Sequence, residues 1–408
     1  MAMNAENTRP KSAVNHAAAL ASLLGALAVL ALFKYAGTQS AEFSLVALVI
    51  VIALPHIGVE ISDWEQPFAR PTNWHRFGIK LVGQLGIFAL LALTYFVFHG
   101  FFETFIQPLT RFIEQILLLV IIATPIYLWA TDRRMAQPED GLYQFGLCLL
   151  GKFQAVDLAV IKQFLLSWVV KGFFAPLMAG YALIDMRWFL DVAPSDVLQS
   201  ATTRYEAAYR IFYFIDVIFA VTGYLCTFRL LNSHIRTSEP TMLGWVVCLL
   251  CYQPFWTLFS GNFFPYEEGY YWDEWLTHYP TLWLFWAALI VISTIIYLWA
   301  AVSFGIRFSN LTNRGILTNG AYRWMKHPAY VAKNFSWWLI AVPFVSNSGT
   351  PTIIRDCIAL AMVNGVYYLR AKTEERHLMR DPDYVAYSKW MEKNSLFAKL
   401  KHIFQRAS

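Results

Sequence analysis

Long apolar runs alternate with short polar segments along the whole chain. The ten runs lie at residues 17–36, 43–59, 78–99, 113–130, 163–184, 207–228, 241–260, 281–304, 329–346 and 352–369. An α-helix needs about 20 apolar residues to cross the hydrocarbon core of a bilayer. Lipid offers the backbone no hydrogen-bond partners, so each run must pair its own peptide groups as a helix. The pattern predicts an all-α fold, a polytopic integral membrane bundle of about ten transmembrane segments with a C-terminal helical hairpin and a polar tail.

The composition supports a membrane location and argues against nucleic acid as a partner. Hydrophobic residues make up 57% of the 408 residues and charged residues only 14%, whereas a soluble domain carries about 25% charged residues. The net charge of +5 is small and is spread over short loops. We divide the chain near residue 280, into a seven-helix region at 1–280 of unknown role and a candidate catalytic region at 281–408.

The charges of the connecting loops alternate along the chain. Every second connection is basic, and the loop at 261–280 has four acidic residues and no Lys or Arg. Cytoplasmic loops of membrane proteins are enriched in Lys and Arg. We therefore expect both termini and the segments 305–334 and 370–408 to be cytoplasmic.

Candidate metal ligands are few. The five cysteines include a C-x-x-C pair, Cys248 and Cys251, but both lie in an apolar run without a second pair, so we interpret them as packing residues. His56, Glu60 and Asp63 cluster near the end of the second run, where interfacial hydrogen bonding is favoured over metal binding. We predict no metal site.

Two charged residues lie well inside predicted spans, Lys171 in the fifth and Asp216 in the sixth. Charges within the membrane are costly, and they are usually paired or functional. Because the two depths are similar, a structural ion pair is the favoured interpretation. A role in an acceptor cavity, or incorrect span boundaries, are the alternatives.

The segment 315–330 combines glycines, basic residues and aromatic residues directly before a predicted helix. Its candidate site residues are Tyr322, Lys326, His327, Pro328 and Tyr330. Proline is tolerated in the first turn of a helix, and the free N–H groups of a helix N-terminus suit an anion such as a carboxylate. This segment is therefore a candidate anion-binding loop.

A second polar segment follows the last apolar run. Arg370 and Glu374 are spaced i,i+4 and share one helix face, while Glu375 points about 100° away. The adjacent carboxylates offer hydrogen-bond acceptors in two directions, which suits ribose hydroxyls or an amine. A solvated face at the membrane border is the alternative explanation. Tyr387 follows in an Asp-Tyr-x-x-Tyr pattern.

The combined pattern over about 305–395 resembles the isoprenylcysteine carboxyl methyltransferase and phospholipid methyltransferase superfamily. The resemblance implies that S-adenosylmethionine is the cofactor and that a lipid or a lipidated, hydrophobic molecule is the acceptor, with carboxyl O-methylation favoured over amine N-methylation. It implies Arg370 and Glu374 as catalytic residues. It implies as cofactor-binding residues Tyr322, Lys326, His327, Pro328, Tyr330, Glu374, Glu375 and Tyr387. Lys326 stands where the family usually has Arg, and Lys333 adds a charge early in the hairpin.

Two other functions compete with a membrane methyltransferase. A sterol-reductase-like NADPH oxidoreductase would have a similar length and number of spans, but the Glu374-Glu375 pair differs from the Arg-Asp-Glu of those enzymes. A transporter would show broken helices in two related halves, and the sequence has no such repeat. The oligomeric state is not predicted.

Overall fold

A computed structural model describes residues 8–62, 70–267 and 270–407. Asp63 and Glu268, which belonged to the predicted polar clusters, lie outside these residues. The described helices are α1 His16–Tyr35, α2 Ala41–Ser62, α3 Trp74–Val97, α4 His99–Arg134, α5 Gly141–Leu149, α6 Leu158–Asp191, α7 Pro194–Val197, α8 Ala201–Leu225, α9 Met242–Leu249, α10 Trp272–Leu276, α11 Pro280–Val302, α12 Pro328–Ala341, α13 Thr350–Leu378, α14 Pro382–Asn394 and α15 Leu396–Ala407. The described strands are β1 Thr237–Ser238 and β2 Thr312–Asn313, which form an antiparallel pair.

The all-α membrane fold agrees with the prediction, but the count of ten spans is not confirmed. Within the described ranges, seven helices are long and apolar enough to cross a membrane: α1, α2, α3, α6, α8, α11 and α13. The run at 241–260 is interrupted after Leu249, and a π-helical turn follows at Thr257–Phe263. The run at 329–346 yields only the 14-residue α12, which is about 21 Å long and therefore shorter than a bilayer core.

The centre of the bundle is formed by α6 and α8, with α1 and α2 on one side and α11 on another. Phe174, Phe214 and Phe219 are fully buried there. The rings of Phe174 and Tyr224 stack at 5.9 Å between centroids. Helix α12 packs mainly against α11, and residues 342–349 connect it to α13. These contacts join the front helices and the C-terminal hairpin in one bundle.

Connections from distant parts of the sequence meet at one end of the bundle, which we call the basic end. It contains residues 10–14, the segment 226–241 and the segment 303–327. The N–H of Ala13 donates to the carbonyl of Ile316 at 2.8 Å, and β1 pairs with β2. The division of the chain near residue 280 stays a prediction, but its two parts share this end.

Arg314 holds the basic end together. Its side chain is only 2% exposed. Its guanidinium donates to five backbone carbonyls, those of Gly223, Cys226, Ser233, Ile306 and Phe308, at 2.7–3.4 Å. A side chain at Gly223 would clash with the Phe308 carbonyl, since an added Cβ would lie 2.5 Å from that oxygen. Close packing and one buried cation therefore fix the loop that precedes α12 against the end of α8.

We predict that Arg314→Met destabilises the protein by at least about 3 kcal/mol. The substitution leaves several buried carbonyls without donors, and each unsatisfied group costs about 1–3 kcal/mol. Thermal unfolding in detergent, followed by intrinsic fluorescence, measures the effect. Arg323→Met, at an exposed position of the following loop, is the matched control and should unfold close to the parent temperature.

The predicted ion pair between Lys171 and Asp216 is wrong. The Lys171 ammonium lies 3.3 Å from the centroid of the Trp168 ring. Asp216 accepts a hydrogen bond of 2.5 Å from the hydroxyl of Tyr297. Similar depth did not bring the two residues together, because they face different cavities. Asp216 lines the cavity described below, and a role for it in an acceptor cavity stays a prediction.

Within the polar cluster at the end of α2, Glu60 forms an ion pair. The carboxylate of Glu60 accepts a hydrogen bond from the guanidinium of Arg307. No group of metal-ligating side chains occurs among the residues that the structure describes. All five cysteines are free thiols, and Cys248 is fully buried in the main core.

Candidate active site

A cavity of about 180 Å³ opens at the basic end, between the C-terminal hairpin and the front helices. Of the residues predicted from the sequence, seven line it: Tyr322, Lys326, His327, Tyr330, Arg370, Glu374 and Tyr387. They come together because α12 and α13 leave the basic end and return to it. The C-terminal hairpin predicted from the sequence implied that the chain returns to the end from which it started.

Arg370, Glu374 and Tyr330 form the centre of the cavity wall. The Nε of Arg370 donates to Oε1 of Glu374 at 3.3 Å, as the i,i+4 spacing predicted, and the Tyr330 hydroxyl donates to the same oxygen. The Arg370 guanidinium lies 5.0–5.9 Å from the ring centroids of Tyr252, Tyr330 and Tyr367. The cation is 5% exposed, so aromatic faces and one carboxylate fix its orientation.

Asn310 provides a second support for Arg370. Its Oδ1 accepts from Nη2 of Arg370 at 2.7 Å and from the Tyr252 hydroxyl at 3.1 Å. The backbone N–H and the side-chain amide of Asn310 both donate to the hydroxyl oxygen of Tyr224 at 2.9 Å. Sequence reasoning missed Asn310, Tyr252 and Tyr224, because their roles depend on contacts between distant segments.

His327 lies between the two neighbouring carboxylates. Its ring stacks on that of Tyr330 with centroids 5.5 Å apart. Its Nε2 lies 3.0 Å from Oε1 of Glu375, and its Nδ1 lies 3.9 Å from Oε2 of Glu374. Glu375 also accepts from Lys372 at 3.0 Å. Glu375 therefore contacts His327 but does not line the cavity, whereas Glu374 does.

Pro328 occupies the first position of α12 and is buried. It starts the helix at the cavity, since a proline N1 residue has no N–H to satisfy. The cavity is bounded by the neighbouring Ala329 rather than by Pro328.

The short helix α14 closes the outer side of the cavity. The Tyr387 hydroxyl donates to the carbonyl of Tyr322 at 2.7 Å, and Lys326 donates to the hydroxyl of Ser388 at 2.7 Å. Burial raises the pKa of Tyr387 above its usual value. Burial, followed by the Glu374 carboxylate, raises the pKa of Tyr322 well above its usual value. Both phenols are therefore neutral at physiological pH.

A second group of polar residues lines the membrane side of the cavity. Asp216 and Tyr297 are joined by the hydrogen bond described above, and Oδ1 of Asp216 is buried with no hydrogen-bond partner among the described residues. The Lys333 ammonium lies 5.3–5.7 Å from the ring centroids of Tyr213, Tyr297 and Trp337. An unsatisfied carboxylate oxygen and a cation within aromatic rings thus face the same space.

Glu239 directly follows β1 and forms part of the cavity wall on the side of the front helices. It is 2% exposed and accepts a hydrogen bond from the Thr241 hydroxyl. Nδ1 of His377 lies 3.8 Å from its Oε2. Sequence reasoning missed Glu239, because this residue lies outside both C-terminal motifs.

The fold and this cavity define a class: a multi-pass membrane protein whose C-terminal hairpin forms a polar, aromatic cavity at one end of the bundle. Residues 283–380 match the model of the isoprenylcysteine carboxyl methyltransferase (ICMT) family. The resemblance inferred from the motifs is confirmed for this block, and the match implies a membrane methyltransferase. Nothing in it supports the sterol-reductase alternative. Neither curated proteins nor solved structures give a match.

Proposed function

We propose that this protein is a membrane methyltransferase that uses S-adenosylmethionine to methylate a carboxylate on a lipid-like or hydrophobic acceptor. The observation that carries the proposal is the convergence of Arg370, Glu374, Tyr330 and His327 on one cavity within the block that matches the ICMT family. Each of these side chains was a candidate from the combined C-terminal motifs and the family resemblance that they carry.

The side chains present fit the cofactor. Glu374 offers an acceptor for ribose hydroxyls, with His327 beside it. Lys326 offers a cation for the carboxylate of the amino-acid part. The rings of Tyr322, Tyr330 and Tyr387 are surfaces for adenine and for the sulfonium cation, which aromatic faces attract. When bound, S-adenosylmethionine supplies an electrophilic methyl group.

The protein's own contribution is orientation and exclusion of water. Arg370 is held by Asn310 and Glu374, so it can keep an acceptor carboxylate in one position. Lys333 adds a second cation on the membrane side of the cavity. A carboxylate is already deprotonated at neutral pH and needs no strong base, so alignment of the reacting groups provides most of the rate.

Direct binding tests the cofactor assignment. Isothermal titration calorimetry of the purified protein should give saturable binding of S-adenosylmethionine and no binding of NADPH. His327→Ala should weaken the binding of S-adenosylmethionine. Tight binding of NADPH with no response to S-adenosylmethionine would refute the proposal.

The chemistry of the product tests the acceptor assignment. A methyl ester releases methanol in mild alkali, whereas an N-methyl group is stable. Membrane extracts incubated with radiolabelled S-adenosylmethionine should therefore yield a lipid-soluble label that alkali releases as volatile methanol. An alkali-stable label would indicate amine methylation, and carboxyl methylation would then be rejected.

We predict that the basic end faces the cytoplasm and the opposite end the other compartment. The prediction rests on the Lys- and Arg-rich connections that meet at the basic end. Single cysteines can be introduced at exposed positions in a background without native cysteines: Lys389→Cys at the basic end, and Gln39→Cys and Thr277→Cys at the other end. In intact cells, an impermeant maleimide should label only the last two. Labelling of Lys389→Cys under the same conditions would reverse the topology.

A further inference from the structure

A second cavity lies in the front half of the protein, between α3, α4, α5 and α6. We call it the front cavity. It has a volume of about 610 Å³, within the range of about 300–1,000 Å³ that is typical of ligand sites. The segment 227–236, which precedes β1, closes it at the basic end. Nothing in the proposed methyltransferase chemistry uses it.

Positive charge is in excess in the front cavity. Lys80, Lys171, Arg229 and Arg236 line it, against the single carboxylate of Asp140. Lys80 pairs with Asp132 at 3.0 Å, Arg229 pairs with Asp140 at 3.3 Å, and Arg236 lies 4.0 Å from Asp381. Of the four cations that line the cavity, Lys171 is the one without a carboxylate partner among the described residues.

Lys171 is the cation that this arrangement leaves uncompensated. Its ammonium contacts the ring of Trp168, and no carboxylate pairs with it among the residues that the structure describes. An unpaired cation in a low-dielectric bundle is costly, and a bound anion would offset that cost.

Two further polar groups of the cavity lack partners. Gln84 is 8% exposed, and its amide has no hydrogen-bond partner in the described part of the chain. Nδ1 of His234 is buried and likewise unpartnered within the described ranges. Burial, and then the nearby arginines, lower the pKa of His234 to about 3, so this imidazole is neutral. The cavity thus presents free hydrogen-bonding groups beside its cations.

Apolar side chains form a large part of the remaining wall. Phe88, Leu128, Phe164 and Phe228 face the same space. A small hydrophilic anion would leave these side chains uncovered, whereas an anion that carries hydrocarbon chains would contact them. Basic pockets between transmembrane helices are suited to the phosphate head groups of anionic lipids.

We infer that the front cavity binds an anionic membrane phospholipid, with the phosphate at Lys171 and Arg229 and the hydrocarbon against the aromatic wall. The site is separate from the cavity of the methyltransferase block. A lipid bound in the front cavity would also stabilise the fold, because α6 lines this cavity and forms hydrogen bonds with β1. The N–H of Ser238 donates to Gln163 at 2.9 Å, and the hydroxyls of Ser167 and Ser238 lie 3.0 Å apart. The proposal does not rest on the proposed methyltransferase function.

The test measures the melting temperature of the full-length protein in mixed micelles of phosphatidylcholine with or without phosphatidylglycerol. Lys171→Met removes the uncompensated cation and keeps most of the side-chain volume. Lys162→Met is the matched control, since Lys162 is exposed on the same helix and does not line the cavity. Native mass spectrometry of the same samples counts retained phosphatidylglycerol. Inorganic phosphate without phosphatidylglycerol is the third condition.

We expect phosphatidylglycerol to raise the melting temperature of the parent and of Lys162→Met but not of Lys171→Met. Lys171→Met should retain about tenfold less phosphatidylglycerol, the effect of losing a charged hydrogen bond. Without anionic lipid, it should unfold at or above the parent temperature, because it no longer carries an unpaired cation. An equal response of all three proteins to phosphatidylglycerol would overturn the proposal. Full protection of the parent by inorganic phosphate alone would also overturn it, because the anion would then not come from a lipid.

Discussion

Arg370→Lys should lower kcat by about 10²–10³-fold and leave the affinity for S-adenosylmethionine within about threefold of the parent, the loss expected when one preorganised donor is removed. The guanidinium is fixed by Asn310 at 2.7 Å and by Glu374 at 3.3 Å. Lysine retains the charge but not the planar, multiple-donor group, so it cannot hold those two partners and an acceptor carboxylate together. The acceptor would bind in many orientations, few of which are productive.

Steady-state methylation of a hydrophobic carboxylate, together with calorimetry for the cofactor, separates the two effects. Arg380→Lys is the matched control, because Arg380 is exposed just beyond the end of α13 and does not line the cavity. It should behave as the parent. A parallel loss of cofactor affinity in Arg370→Lys would assign Arg370 to cofactor binding. An unchanged kcat would remove it from the proposed machinery.

The C-terminal wall of the cavity could be predicted from the sequence, because the contacts that form it depend on residues that are close together along the chain. A spacing of four residues places Arg370 and Glu374 on one helix face, and the structure has them in contact. The apolar runs at 329–346 and 352–369 implied a return of the chain, and His327 and Glu375 are in contact across it. The spacing of residues along a helix and the return of the chain in one hairpin were sufficient to predict these two contacts.

The remaining walls of the cavity could not be predicted, because they depend on how distant segments pack. Asn310 supports Arg370 from a loop sixty residues earlier, and Glu239 enters the wall because β1 pairs with β2. Neither residue belongs to a local motif. Asp216 was noticed as a charge within a span, but depth alone suggested Lys171 as its partner instead of Tyr297.

The number of spans shows a different limit of sequence reasoning. Hydropathy measures how apolar a segment is and does not register where its helix ends. The run at 241–260 is mostly apolar, yet α9 ends at Leu249. Helix α12 ends at Ala341, where the next residue, Val342, has a left-handed φ of 36°. A proline follows each helix end within a few residues, Pro254 after α9 and Pro343 after α12, and proline disfavours the helical conformation at its own position and at the residue before it.

The last prediction concerns the two neighbouring carboxylates. Glu374→Gln should weaken binding of S-adenosylmethionine by about 1.5–3 kcal/mol, the value of a hydrogen bond to a charged group. Glu374 lines the cavity and is the acceptor for Tyr330 and Arg370, so glutamine keeps the shape but removes the charge available to a ribose hydroxyl. Glu375→Gln should have a smaller effect, because Glu375 contacts His327 instead of the cavity.

Calorimetry with S-adenosylmethionine on both variants measures the difference, and Glu392→Gln on the exposed side of α14 is the control. The order of the two effects is the decisive result. If Glu374→Gln loses more affinity, Glu374 binds the cofactor and Glu375 positions His327. If Glu375→Gln loses more, Glu375 binds the cofactor directly, as the family resemblance implied, and the His327 side chain must then leave its contact with Glu375. Equal affinities in both variants and the parent would exclude this pair from cofactor binding.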